Sequence, residues 1–109
     1  MAKLIVKRQR LLPGCFMHVH ILVEGKIVLS LKNGETAVCE VEDAPAHVRC
    51  SLTLGRASDA YLVDFSAHSE VHVTVWANTR FPVMDFFDAG GTPIAAERED
   101  SGRLPDFLY

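Results

Sequence analysis

The strongest constraint in this 109-residue chain is a period of two: short runs in which apolar and polar residues alternate, each closed by a turn signal, recur along most of its length. Successive side chains of a strand point to opposite faces, so such runs specify strands with one buried side. The stretch Met17–Leu31, Met-His-Val-His-Ile-Leu-Val-Glu-Gly-Lys-Ile-Val-Leu-Ser-Leu, holds two of these runs joined at a glycine and reads as a β-hairpin.

Two registers compete in that hairpin. A two-residue Glu24-Gly25 turn of the primed type needs positive φ at Glu24 and pairs Ile21 with Val28 and His20 with Leu29, which mixes polar and apolar residues on both faces. A three-residue loop, Val23-Glu24-Gly25, with Gly25 as a left-handed bulge residue, sets Ile21 against Ile27, Val19 against Leu29 and Met17 against Leu31. One face is then wholly apolar, and His18, His20 and Leu22 share the other with Ser30, Val28 and Lys26. Because a slip by one residue exchanges the faces, the burial pattern favours the three-residue loop.

The remaining runs follow in order. Leu4 to Gln9 is a first strand with Leu4 and Val6 on one face, broken by Leu12-Pro13-Gly14. A Lys32-Asn33-Gly34 loop brings Ala37, Cys39 and Val41 inward, whereas a two-residue Asn-Gly turn sets Glu40 against Ile27, so the longer loop is preferred. After the break at Glu42 to Ala46, His47 to Leu54 alternates with Val48, Cys50, Leu52 and Leu54 inward, and Gly55 ends it. Ser58-Asp59 has the chemistry to cap a short helix, yet the alternation of Tyr61, Val63 and Phe65 favours a strand. Glu70 to Trp76 is a strand with Val71, Val73 and Val75 inward. Phe81 to Phe87 is another, which Pro82 places at a sheet edge or at its own start. Thr92 to Ala96 is a short edge strand.

About eight strands with turn signals at spacings of roughly 8 to 12 residues indicate an all-β chain, an antiparallel β-sandwich of about 7–8 strands. The expected organisation is one sandwich domain over residues 1–96 and a polar C-terminal tail over 97–109, where the composition changes to Glu-Arg-Glu-Asp-Ser-Gly-Arg. A hydrophobic content of 49% supplies a core, and 23% charged residues is ordinary for a globular protein. A formal net charge of −3 offers no general attraction for nucleic acid. No apolar stretch approaches the roughly 20 residues of a membrane span. The apolar run near Met1 is shorter than a signal-peptide core, so a cytoplasmic location is expected. Cys15, Cys39 and Cys50 have no C-x-x-C spacing and suit reduced thiols.

Chemistry-bearing residues are sparse. His18 and His20 project from one strand face, a geometry that lets two imidazoles share a metal ion, with His72 as a third ligand. Cys39 and Cys50, on inward positions of consecutive strands, are expected close together as small buried hydrophobes. Ser58, Asp59, Asp64, Ser66 and His68 contain the residue types of a nucleophilic triad without a Gly-x-Ser-x-Gly elbow. Lys3, Lys7, Arg8 and Arg10 form a basic cluster of the kind that guards an edge strand against pairing. Trp76, and the mixed hairpin face carrying Leu22 and Val28, are the candidate interface residues.

Leu4-Ile5-Val6-Lys7-Arg8, Val19-x-Ile21-x-Val23-Glu24-Gly25-Lys26-x-Val28 and Leu31-x-x-Gly34-Glu35 together resemble a group of small, uncharacterised bacterial β-sandwich proteins related to PEGA-type modules. The resemblance covers about the first half of the chain. It departs at Glu24-Gly25, where such modules usually carry Asp-Gly, and at Ala44-Pro45-Ala46-His47, where they carry Pro-Gly-x-His. It implies a non-catalytic structural or binding role. The functional expectation is therefore a non-enzymatic interaction or scaffold module without a cofactor, engaging a protein partner or a second copy of itself. The alternative is a small-ligand or metal-binding domain built on His18, His20 and His72.

Overall fold

In the computed structural model, which describes residues 1–10, 18–52, 58, 60–77, 82–94 and 96–99, the alternating runs form a β-sandwich. The strands are β1 (Ala2–Arg8), β2 (Val19–Val23), β3 (Lys26–Leu31), β4 (Thr36–Val41), β5 (Pro45–Leu52), β6 (Ala60–Asp64), β7 (Glu70–Ala77), β8 (Pro82–Phe87) and β9 (Glu97–Glu99). One sheet has the order β4-β1-β7-β8 and the other β3-β2-β5-β6-β9. Among the described residues there is no helix, and so none long and apolar enough to cross a membrane.

The alternation decides what is buried. In β5, Ala46, Val48, Cys50 and Leu52 point into the sandwich, and in β7 Val71, Val73 and Val75 meet them from the facing sheet. Tyr61 on β6 and Phe86 on β8 carry the contact across the interior, with ring centroids 5.4 Å apart. Each fully buried aliphatic or aromatic side chain contributes about 1.5–3 kcal/mol, which favours this packing over any register that turns the set outward. The expected inward faces of β4, β5, β6 and β7 are those observed.

The hairpin of β2 and β3 corrects the expected three-residue loop. Val23 pairs with Lys26 across a two-residue turn, and Glu24 (φ 50) and Gly25 (φ 79) both lie in the left-handed region, as a primed turn demands. That turn sends apolar residues to the wrong face. The chain restores them with a β-bulge at Val28: Leu22 faces Ile27, but Ile21 faces Leu29 and Val19 faces Leu31. In a regular hairpin the turn fixes the register, whereas the bulge makes the two separable. The proposed partner of Leu31, Met17, lies outside the described residues.

Three further expectations change. The Lys32–Glu35 turn is not a hairpin connection, because β3 and β4 belong to different sheets and the chain crosses between them there. The turn is closed by the Glu35 N–H donating to the Lys32 carbonyl, and Gly34 adopts φ 78 beneath the Arg10 guanidinium. β1 is not an edge strand. It lies between β4 and β7, pairing antiparallel with the first and parallel with the second, so the sandwich is antiparallel except at this one pairing among the described residues. Of the basic cluster, Lys3 and Lys7 point out from the sheet while Arg8, only 1% exposed, points in and donates from Nη1 to the Leu31 carbonyl of the facing sheet.

The polar segment beginning at Glu97 is not wholly a tail, since Glu97–Glu99 adds to β6 as β9. With it the sandwich has nine described strands, against the seven to eight expected. Of the expected Thr92 to Ala96 strand, Ala95 lies outside the described residues, and among the described ones Thr92 to Ile94 folds against β8 through a single bridge, Phe87 to Pro93. The readings made for the Leu12-Pro13-Gly14 break, Cys15, Leu54, Gly55, Asp59, Phe81 and residues 100–109 lie outside the described residues.

Candidate interaction surface

The outer face of the β4-β1-β7-β8 sheet is built by the residues that alternate with its core set. Val38, Ile5, His72 and Phe87 fall in register across the four strands and form an apolar row interrupted by one imidazole. Val38 is 55% exposed and stands at the β4 edge. Charged and polar rows flank it, with Glu40, Lys3 and Glu70 on one side and Thr36, Lys7, Thr74 and Asp85 on the other. Beyond these, Trp76 (40% exposed) pairs with Val83 (49%), and the indole Nε1 donates to Asp85 Oδ2 at 3.0 Å. An indole with its polar edge satisfied and its ring still open to solvent suits a contact surface.

The proposed histidine site does not assemble. His20 is on β2, with Nδ1 hydrogen-bonded to Ser30 Oγ at 2.8 Å, and His18 lies exposed just before that strand. His72 is on β7 of the other sheet, where Nε2 meets Glu70 Oε1 at 3.0 Å. His18 and His20 flank the buried Val19, and His72 lies between the buried Val71 and Val73, so His18 and His20 face away from the core on one side of the sandwich and His72 on the other. Packed sheets are separated by about 10 Å of side chains, which keeps His72 from joining the pair. Among the described residues no three His, Cys, Asp or Glu side chains are grouped to hold a metal ion.

Leu22 and Val28 part company for the reason already given. Leu22 is half-buried on the outer face of the five-stranded sheet, between Arg49 on β5 and Ile27 on β3. Val28, the bulge residue, packs against the edge of the core and lines a cleft with Val23, Val41 and Pro45. Ile27, expected inside, is 60% exposed. The outward position expected for Val28 thus belongs, because of the bulge, to Ile27. Sequence reasoning also passed over Val38, whose outward parity was readable although its place on a free edge was not.

Of the triad-like residues, Asp64 and Ser66 serve a turn, and Ser58 Oγ accepts the Cys50 N–H. Ser66 donates both its N–H and its hydroxyl to Asp64 Oδ1, and these bonds, the side-chain one first, hold the Asp64 carboxyl below its ordinary range. Asp88 Oδ1 likewise accepts the N–H groups of Gly90 and Thr92. With His68 these carboxylates border an open cleft of about 620 Å³, and one oxygen of each, Oδ1, is engaged in closing the chain's own turns. Cys39 and Cys50 sit on β4 and β5 in different sheets and not on neighbouring strands. Burial raises both thiols, that of Cys50 to about 11, and both are free. No protein-family model, curated protein or solved structure matches the chain.

Proposed function

We propose that this chain is a non-enzymatic, cytoplasmic interaction or scaffold module that associates with a second copy of itself. The observation that supports this reading is the outer face of the four-stranded sheet, where Val38, Trp76 and Val83 leave apolar surface in solvent around a row continued by Ile5 and Phe87. Exposed apolar surface costs solubility, and rimmed by polar residues it is the usual mark of a contact site. The resemblance of the first half to PEGA-type modules, which implies a non-catalytic structural or binding role, is compatible with this reading. The test is light scattering coupled to size-exclusion chromatography of the full chain over a wide concentration range. A defined oligomer supports the module reading. A strict monomer that captures no partner and turns over substrates in a hydrolase screen defeats it.

A further inference from the structure

We propose that the chain forms a twofold-symmetric dimer by antiparallel pairing of β4 with β4 of a second copy, with the axis at Val38. The inference rests on the self-association reading above and assigns its surface.

The main-chain hydrogen bonds leave one edge of β4 open. The Arg8 N–H donates to the Glu35 carbonyl at 2.9 Å, and these two residues continue the β1–β4 register. In an antiparallel ladder the bonded pairs alternate, so Leu4–Cys39 and Val6–Ala37 exchange bonds within the sheet. Thr36, Val38 and Glu40 therefore turn their N–H and C=O groups toward the open edge. Among the described residues no strand pairs with them.

The other sheet edges differ from β4. An open strand templates pairing unless something blunts it. β3 has its bulge and Lys26, β8 starts at Pro82 and is covered by the bonds from Ile94 N–H to the Phe86 carbonyl and from Asp88 N–H to the Thr92 carbonyl, and β9 is a three-residue Glu-Arg-Glu strand. β4, Thr-Ala-Val-Cys-Glu-Val, has an unbroken register and neither proline nor lysine.

β4 also complements itself. With the axis at Val38, Thr36 faces Glu40 of the second copy and Ala37 faces its Cys39, so no like charges meet. The neighbour of Thr36 on β1 is Lys7. Glu40 of one copy then lies two strand spacings, about 10 Å, from Lys7 of the other, within the combined reach of the two side chains, and symmetry repeats the contact. The row Phe87, His72, Ile5 and Val38 meets its own image, giving one apolar band across an eight-stranded sheet. A foreign extended peptide satisfies the main-chain groups equally well, but the match of Glu40 and Lys7 is built into β4 and β1 themselves, which favours a second copy.

The experiment is sedimentation velocity of the full chain over a concentration series, alone and with two substitutions. Val38→Pro removes an outward N–H that the β1–β4 ladder does not use. Val38→Lys leaves the backbone intact and places like charges opposite each other at the axis, and it carries the test if the proline variant folds poorly. The wild-type chain is expected to dimerise, and each variant to raise the dissociation constant by at least about tenfold. Lys7→Glu and Glu40→Lys are each expected to weaken the dimer, and the double variant to recover it. A wild-type monomer at every concentration overturns this inference together with the self-association reading. A dimer untouched by both Val38 variants overturns the β4 assignment alone, and a double charge variant that fails to recover overturns the Val38-centred register.

Discussion

Replacing Glu24 with alanine removes a side chain but not the backbone strain it sits on, and the two effects separate experimentally. Glu24 has φ 50, a conformation that costs a non-glycine residue about 1–2 kcal/mol. Its carboxylate Oε1 accepts the His47 N–H at 2.7 Å and contacts His47 Nδ1 at 3.1 Å, while its own N–H donates to the His47 carbonyl at 2.9 Å. The last bond survives any substitution that keeps the backbone. The first two are lost in Glu24→Ala, and because the carboxylate side chain is 58% exposed they count near the low end, together about 1 kcal/mol. Glu24→Gly loses the same bonds but sheds the strain, against about 0.5–1 kcal/mol of added freedom in the unfolded chain. Urea denaturation at pH 7 should therefore rank alanine lowest, with glycine about 0.5–1 kcal/mol above it, a shift of several degrees in Tm for a domain of this size. The pH dependence has a defined sign. The His47 main-chain N–H, and then its ring, hold the Glu24 carboxyl below its ordinary value of 4.5. A depressed carboxyl contributes stability that is present above the unfolded value and lost as pH falls through the folded one. The gap between wild type and Glu24→Ala should thus narrow from pH 7 to pH 3. If glycine is no better than alanine, the left-handed turn is wrong, and if the gap is unchanged by pH, the carboxylate is not what binds His47.

Other consequences follow from burial and placement. Ile21→Ala empties a fully buried position facing Leu29 and Cys50 and should cost about 2–5 kcal/mol in chemical denaturation, whereas Ile27→Ala, on the same hairpin but largely exposed, should change stability by less than about 1 kcal/mol; similar losses would refute the bulged register. Iodoacetamide at pH 8 should modify Cys39 before Cys50, whose buried thiol is pushed up to about 11, with peptide mass spectrometry as the readout; equal native-state rates would contradict the packing. In zinc calorimetry, His72→Ala should leave any heat contributed by His18 and His20 unchanged, because the two sides of the sandwich separate them; a loss of binding would contradict that placement.

The candidate surface was only half legible in advance. Val38 and Trp76 alternate with buried neighbours, so their outward direction could be read from residue types alone. That Val38 stands on an unguarded edge, in line with Ile5, His72 and Phe87, depends on which strands lie side by side. The histidines show the same limit from the other direction. Spacing placed His18 and His20 together, and nothing in the spacing of His72 told which sheet its strand would join.

By itself the sequence determined the all-β class, most of the strands and the inward faces of β4, β5, β6 and β7, because alternation is a local property: each residue's direction follows from its neighbours and the need to bury Val, Ile and Leu. Tertiary structure decided what local parity leaves open. Consecutive β3 and β4 separate into different sheets, and β1 lies parallel to β7, far along the chain. The Glu24-Gly25 turn and the burial of Ile21 disagreed by one residue, and the bulge at Val28 reconciled them. Pairing partners are chosen by the whole packed core and its main-chain hydrogen bonds, and those are formed by residues that no short window of sequence contains together.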